Sequence, residues 1–150
     1  MDIADPISSI LRNKGPDLWT TRPDSSVFDA IQFMSEKNVG ALPVLEDGQM
    51  VGMITERDYT RKVVLKSKAS KETAVSKIMS TATITIGSGD SVAKGMQTMT
   101  GERVRHLPVL DGEQLVGIVS IGDLVKWTIS AQGAMIQQLE GYIQGGYAGA

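Results

Sequence analysis

Apolar positions fall at helical spacing through Ile7, Ile10 and Leu11, and Gly15-Pro16 closes that stretch, which predicts a short helix over 7–13. Leu18-Trp19-Thr20-Thr21 reads as a short strand ended by Arg22-Pro23. Ser25 or Ser26 then caps a helix whose apolar residues Val27, Ala30, Ile31 and Met34 recur at steps of three and four, up to a left-handed stop near Gly40. Residues 41–45 and 50–55 are apolar runs joined by Glu46-Asp47-Gly48-Gln49, whose Asp-Gly step signals a hairpin. Thr55 opens a helix over 56–66 with Tyr59, Val63 and Val64 on its inner face. The pattern is strand, helix, strand, strand, helix.

The same pattern returns. Val27, Pro43, Gly52 and Asp58 recur 65 positions later as Val92, Pro108, Gly117 and Asp123, with no gap, which marks an internal duplication. In the second copy Thr83-Ile84-Thr85-Ile86 repeats the leading strand, and Asp90 or Ser91 caps a helix carrying Val92, Met96 and Met99. The second hairpin is 107–110 with 115–120, and the helix from Ser120 carries Leu124, Val125 and Ile129. A further amphipathic helix over 131–143 has Met135, Ile136, Leu139 and Ile143 on one stripe, and the Gly-rich end 145–150 is expected to be loose. This organisation divides the chain into 7–68, 75–130 and a C-terminal piece, 131–150. A unit of two or three strands with one open face is marginal alone, so the two copies are expected to pair sheet against sheet.

Composition narrows the function classes. A net charge of -2 over 150 residues argues against a general binder of nucleic acid or anionic membrane. No cysteine and one histidine, His106, leave no disulfides, no thiolate nucleophile and no multi-histidine metal site. Met1-Asp2-Ile3-Ala4-Asp5-Pro6 has no apolar core of a secretory signal, and no apolar run nears the roughly 20 residues of a membrane span, so the cytoplasm is the expected compartment. The methionines Met34, Met50, Met53, Met96 and Met99 read as adaptable core filling, and Trp19 as core before base-stacking platform.

Candidate chemistry gathers at the ends of the duplicated hairpins. Thr55-x-x-Asp58 and Ser120-x-x-Asp123 are capping boxes by pattern. A carboxylate at a helix start also has an oxygen to spare for the vicinal hydroxyls of a ribose, where the helix end favours phosphate nearby. Gly40-Ala41-Leu42-Pro43 and Arg105-His106-Leu107-Pro108 stand in the same register before the first hairpin strand, as strand-edge markers or as an apolar slot for a flat ring. Their flanks differ: the second copy has Arg103, Arg105 and His106 where the first has small residues, and guanidinium forks match phosphate oxygens. Arg57, Arg61 and Lys62 add positive charge beside Asp58. A lone His106 without a nucleophile motif gives no acid–base constellation.

This duplicated unit, Leu-Pro-Val followed by Val-Gly, two apolar residues and Thr/Ser-x-x-Asp, resembles the cystathionine β-synthase (CBS) domain. Two copies look like a CBS pair, or Bateman module, over about 7–127. Ile54-Thr55-Glu56-Arg57-Asp58-Tyr59, Arg103 to Val109, Val119-Ser120-Ile121-Gly122-Asp123 and Tyr142-Ile143-Gln144-Gly145-Gly146-Tyr147 are similar to stand-alone bacterial CBS-pair proteins and their plant mitochondrial relatives. The resemblance implies an α/β fold of tandem β-α-β-β-α domains in a pseudo-twofold pair, binding adenosine nucleotides in the cleft between the copies. It implies that Asp58 and Asp123 hold ribose hydroxyls beside Thr55 and Ser120. Thr21, Arg22, Gly40, Ala41, Leu42 and Pro43 would then frame one adenine, and Thr83, Thr85, Leu107 and Pro108 the other. Arg105 and His106 stand where the γ subunit of the AMP-activated kinase has a His-Arg pair for phosphate, in swapped order. Gly122 where the first copy has Arg57 adds to the asymmetry between sites.

The expected function is a non-catalytic sensor of energy or redox state in signal transduction. It would bind AMP foremost, form a homodimer, need no metal, and modulate a client protein through a ligand-dependent shift between orientations of the two copies. NAD(H) is the rival ligand, with ADP, ATP and S-adenosylmethionine behind it. A structural dimer with vestigial sites, working through 131–150, is the alternative of a different class; an enzyme would need a catalytic constellation that the sequence lacks.

Overall fold

In a computed structural model, residues 2–148 are described, with only the backbone of 131, 132, 134 and 144–148. Mixed α/β structure runs α1 (Ile7–Lys14), α2 (Val27–Lys37), β1 (Ala41–Glu46), β2 (Gln49–Thr55), α3 (Glu56–Tyr59), β3 (Ile86–Gly87), α4 (Val92–Glu102), β4 (His106–Asp111), β5 (Gln114–Ser120) and α5 (Ile121–Ala148). The chain forms two compact units. One, the N-copy unit, comprises Asp17–Thr85 with Glu113–Leu115; the other, the C-copy unit, comprises the segment ending at Pro16, Ile86–Gly112 and the chain from Val116.

The unit boundaries expose an exchange that the duplication alone does not show. The segment in front of the first copy completes the C-copy unit, and the segment in front of the second copy completes the N-copy unit. Equivalent backbone bonds prove the correspondence. In the C-copy unit Ile7 N–H donates to Asp90 O at 2.8 Å and Val92 N–H to Asp5 O at 2.9 Å. In the N-copy unit Val75 N–H donates to Ser25 O and Val27 N–H to Thr73 O, both at 2.8 Å. The first helical N–H of α2 and of α4, which no intrahelical carbonyl can satisfy, is thus bonded by the borrowed segment.

Side chains cap the same two helices: Ser26 accepts from Asp29 N–H and Ser91 from Lys94 N–H. Asp90 instead accepts from Gly87 N–H at 2.8 Å, ahead of the helix. The left-handed stop of α2 is Asn38 (φ 56°) rather than Gly40, and Arg103 (φ 56°) holds the equivalent place after α4.

In the N-copy unit β1 and β2 pair antiparallel, from Ala41 opposite Thr55 to Glu46 opposite Gln49, with a bulge between Val44 and Leu45. Apolar residues of α2, β1, β2, the turn after α3 and the borrowed segment close the core: Val27, Ala30, Met34, Leu42, Val44, Ile54, Val63, Val75 and Ile78. Trp19 packs against that core, edge-on to Phe33 at 5.9 Å, with the Lys37 ammonium over its ring at 4.3 Å. The expected strand 18–21 reduces to a bridge of Thr21 with Val44, and the chain enters a turn at Pro23. In the C-copy unit β3 pairs parallel with β4, and β4 lies between β3 and β5; the second leading strand is likewise shorter than expected, Ile86–Gly87.

The helices after the hairpins depart from expectation in two ways. After α3 the chain makes a π turn, Thr60–Val64, in which Leu65 N–H reaches back five residues to Thr60 O. The extra residue rotates the face, so Val63 is buried while Val64 is 53% exposed and not on the inner face. Residues 121–148 form one continuous helix rather than two, and it takes in 145–148, where a loose end was expected; 149–150 lie outside the described residues. No proline interrupts residues 121–148, so nothing breaks the ladder between the expected helices. Among the described residues no helix is long and apolar enough to cross a membrane.

The glycine of each Val-Gly motif is explained by the borrowed segments. A Cβ on Gly52 would stand 2.8 Å from Ser80 O and 2.9 Å from Met79 Sδ; one on Gly117 would stand 2.7 Å from Leu11 Cδ2. At each glycine the hairpin strand lies against the borrowed segment of its own unit.

Candidate functional site

Each copy builds its site from the end of a hairpin strand and the start of the following helix. In the N-copy unit Thr55 Oγ1 accepts from Asp58 N–H at 3.1 Å, and Asp58 Oδ2 accepts from Thr55 N–H at 2.9 Å and from the Thr55 hydroxyl at 3.1 Å. Gly40 O accepts Glu56 N–H at 3.1 Å, tying the helix start to the strand that leads in. The C-copy unit repeats this: Asp123 N–H donates to Ser120 Oγ at 3.1 Å, Ser120 N–H to Asp123 Oδ2 at 2.8 Å, and Ile121 N–H to Arg105 O at 2.8 Å. Both motifs are therefore complete capping boxes that also fix a carboxylate at a helix mouth.

Both carboxylates also hold a lysine, from different directions. Asp58 Oδ1 pairs with Lys62 Nζ at 3.0 Å, one turn along the same chain, and Lys62 donates further to Ile78 O at 2.9 Å. Both Asp58 oxygens are thus engaged, and the spare oxygen expected from sequence is taken by this ion pair. Asp123 receives Lys14 Nζ at 2.7 Å from the last turn of α1, and the same ammonium donates to Ile118 O at 3.0 Å. Lys14 binds the oxygen that already serves the box, Oδ2, so Oδ1 of Asp123 carries neither interaction. Lys14 was not foreseen, since it lies 109 residues from its partner.

Around Asp123 stand His106, half-buried, and Arg105, exposed. Burial lowers the His106 pKa below its ordinary value; Asp123 pulls it up, and Lys14 and Arg105 push it down further. The imidazole is held neutral between one anion and two cations.

Not all the remaining residues fall where expected: Thr83 and Thr85, expected beside Leu107 and Pro108, belong to the N-copy unit, because the segment in front of the second copy completes that unit. With Asp58 in the N-copy unit are Thr21, Arg22, Gly40, Ala41, Leu42, Pro43, Thr55, Arg57, Thr83 and Thr85; with Asp123 in the C-copy unit are Arg103, Arg105, His106, Leu107, Pro108, Ser120 and Gly122. Thr21 is fixed by its backbone, donating to Pro43 O at 3.0 Å and accepting from Leu45 N–H at 2.9 Å. Leu42 and Leu107 have no exposed side chain. What they offer a ligand is backbone. Arg22 is exposed and pairs with Asp24 at 3.1 Å, while Arg57 and Gly122 lie on the first turns of α3 and α5. Among the described residues no group of three or more His, Asp and Glu side chains is placed to hold a metal ion.

The CBS domain family model matches residues 8–65 and 75–130. The chain belongs to the CBS-domain family and carries a tandem pair. It is 40% identical over 151 residues to the mitochondrial CBS domain-containing protein CBSX3 of Arabidopsis thaliana, covering 94% of this chain and 73% of that one. The crystal structure of the CBS domain protein NE2398 matches with a TM-score of 0.80 and 42% identity, over 83% of this chain and 98% of that one. The CBS domain pair of protein MJ0100, solved in complex with 5-methylthioadenosine and S-adenosyl-L-methionine, matches with a TM-score of 0.74 over 83% of this chain and 95% of that one; at 24% identity that likeness shows the fold alone. CBS pairs are regulatory modules, and this pair is one.

Proposed function

We propose that the pair binds adenosine nucleotides, AMP foremost, and that it regulates a client protein without catalysis of its own. The observation that carries this reading is the boxed carboxylate at the start of α3 and of α5. Asp58 and Asp123 are each held by two box bonds at a helix mouth, in the same place in both copies. At Asp123 the oxygen outside the box and the lysine pair, Oδ1, accepts from a ribose hydroxyl, whereas at Asp58 a hydroxyl has to displace Lys62; the helix N-terminus favours the phosphate that follows. Gly40 to Pro43 would frame the adenine of one nucleotide, with Thr55 beside its ribose.

The two sites differ in where their cations come from. Asp123 takes Lys14 from α1, and Arg105 and His106 precede the second hairpin where the first copy has Gly40 and Ala41, while Asp58 takes Lys62 from the turn after its own helix. The two sites are therefore expected to fill unequally. Adenosine compounds in the MJ0100 pair agree with an adenosine ligand, and S-adenosylmethionine, NAD(H), ADP and ATP are the compounds against which AMP is compared. A homodimer is part of the same proposal: α5 exposes Val125, Ile129, Ile136, Leu139 and Ile143 at spacings of three, four and seven.

A thermal-shift panel of AMP, ADP, ATP, NAD⁺, NADH and S-adenosylmethionine tests the proposal, since a ligand of the folded chain raises the melting temperature with concentration. AMP raises it most, and Asp58→Ala and Asp123→Ala each remove part of the rise while the chain still melts cooperatively. No rise with any compound overturns it.

A further inference from the structure

Lys14 comes from outside the duplicated motif. It arrives on α1, which the C-copy unit borrows, and ends on the one residue of that unit that the proposed function assigns to the sugar. Counting from Ile7 and Val75, whose backbone bonds correspond, Lys14 is matched in sequence by Ala82, and the helical turn that starts at Val75 ends at Lys77 where α1 runs on to Lys14. Asp58 is served by Lys62, a one-turn neighbour whose ammonium is also held by Ile78 O.

Resting on the adenylate reading, we infer that Lys14 is a specificity-determining residue of the C-copy site: its ammonium leaves Asp123 for the ligand's phosphate when Asp123 takes the ribose hydroxyls. Three features support this. The Lys14 side chain is 38% exposed, so its ammonium is open to a ligand as well as to Asp123. Lys14, Arg105 and Asp123 all act on the His106 imidazole, so two cations and one carboxylate gather about that ring, and a cation there suits a phosphate's oxygens. Asp123 Oδ1 carries neither the box bond nor Lys14, so one sugar hydroxyl finds it open, and a second hydroxyl that competes for Oδ2 releases the lysine.

Titration calorimetry of the full chain with AMP and with adenosine tests this. Wild type binds AMP more tightly than adenosine. Lys14→Gln lowers the ratio of AMP to adenosine affinity about ten-fold, the worth of one charge-assisted hydrogen bond, while adenosine binding holds or improves because Asp123 is freed. Lys14→Arg restores most of the ratio, and it is the AMP-to-adenosine ratio that a lysine needed only to hold α1 in place would leave unchanged, since its loss would weaken both ligands alike. A Lys14→Gln chain that keeps the wild-type ratio overturns the role of Lys14 and leaves the adenylate reading standing. Failure of wild type to bind either compound overturns both.

Discussion

Lys14 and Asp123 lie 109 residues apart and meet at 2.7 Å, joining the last turn of α1 to the first turn of α5. The pair is partly exposed, 38% and 23% for the two side chains, so solvent screens it. A double-mutant cycle of Lys14→Gln and Asp123→Asn, read by denaturant unfolding, is expected to give a coupling of about 0.5 kcal/mol that shrinks at high salt. A coupling near zero at low salt would show that the contact contributes nothing to folding.

The two Val-Gly glycines are not equivalent. Alanine at Gly52 meets a backbone oxygen, Ser80 O, at 2.8 Å as well as Met79. Alanine at Gly117 meets only the end of the Leu11 side chain, which can turn aside. Gly52→Ala is therefore expected to cost about 2 kcal/mol and Gly117→Ala less than about 1 kcal/mol. Equal losses by chemical denaturation would contradict the close approach of 79–80 to β2.

The capping boxes give a stability prediction separable from ligand binding. Thr55→Ala and Ser120→Ala each remove a side-chain acceptor from a helix start and are expected to destabilise the chain by about 1 kcal/mol. Both variants keep their Asp, and ligand-induced stabilisation should survive in both. Its loss in Ser120→Ala alone would mean that the hydroxyl itself touches the ligand.

His106 sets a pH dependence. Its pKa in the folded chain is below the ordinary value of 6.5, chiefly because burial disfavours the imidazolium. Between the two pKa values the unfolded chain binds the proton more readily, so stability rises with pH there. The contribution is full above the ordinary histidine range and is lost as pH falls through it. Melting temperatures from about pH 7.5 to about pH 5 should fall more for wild type than for His106→Asn. Parallel curves would show that His106 is not held neutral by its surroundings.

Much of this was legible because hydrophobic spacing and turn chemistry are local. The helix at 27–37 and both capping boxes follow from residues within four positions of one another, and the first hairpin from the turn that joins its two apolar runs. What sequence hid was what other chain segments do. The Val-Gly glycines read as motif until Met79, Ser80 and Leu11 were seen across them. The π turn at 60–64 slipped Val64 to the surface, which a 3.6-residue rhythm cannot foresee. Lys14 carried no local signal: only the exchange of leading segments brings it to Asp123 rather than to the copy that follows it.

Calorimetric titration of the intact chain with AMP tests the central claim most directly. The account predicts saturable heat for wild type, weakened by Asp123→Ala and abolished when Asp58→Ala is added. Absence of heat for wild type at millimolar AMP, or undiminished binding in the double variant, would contradict it.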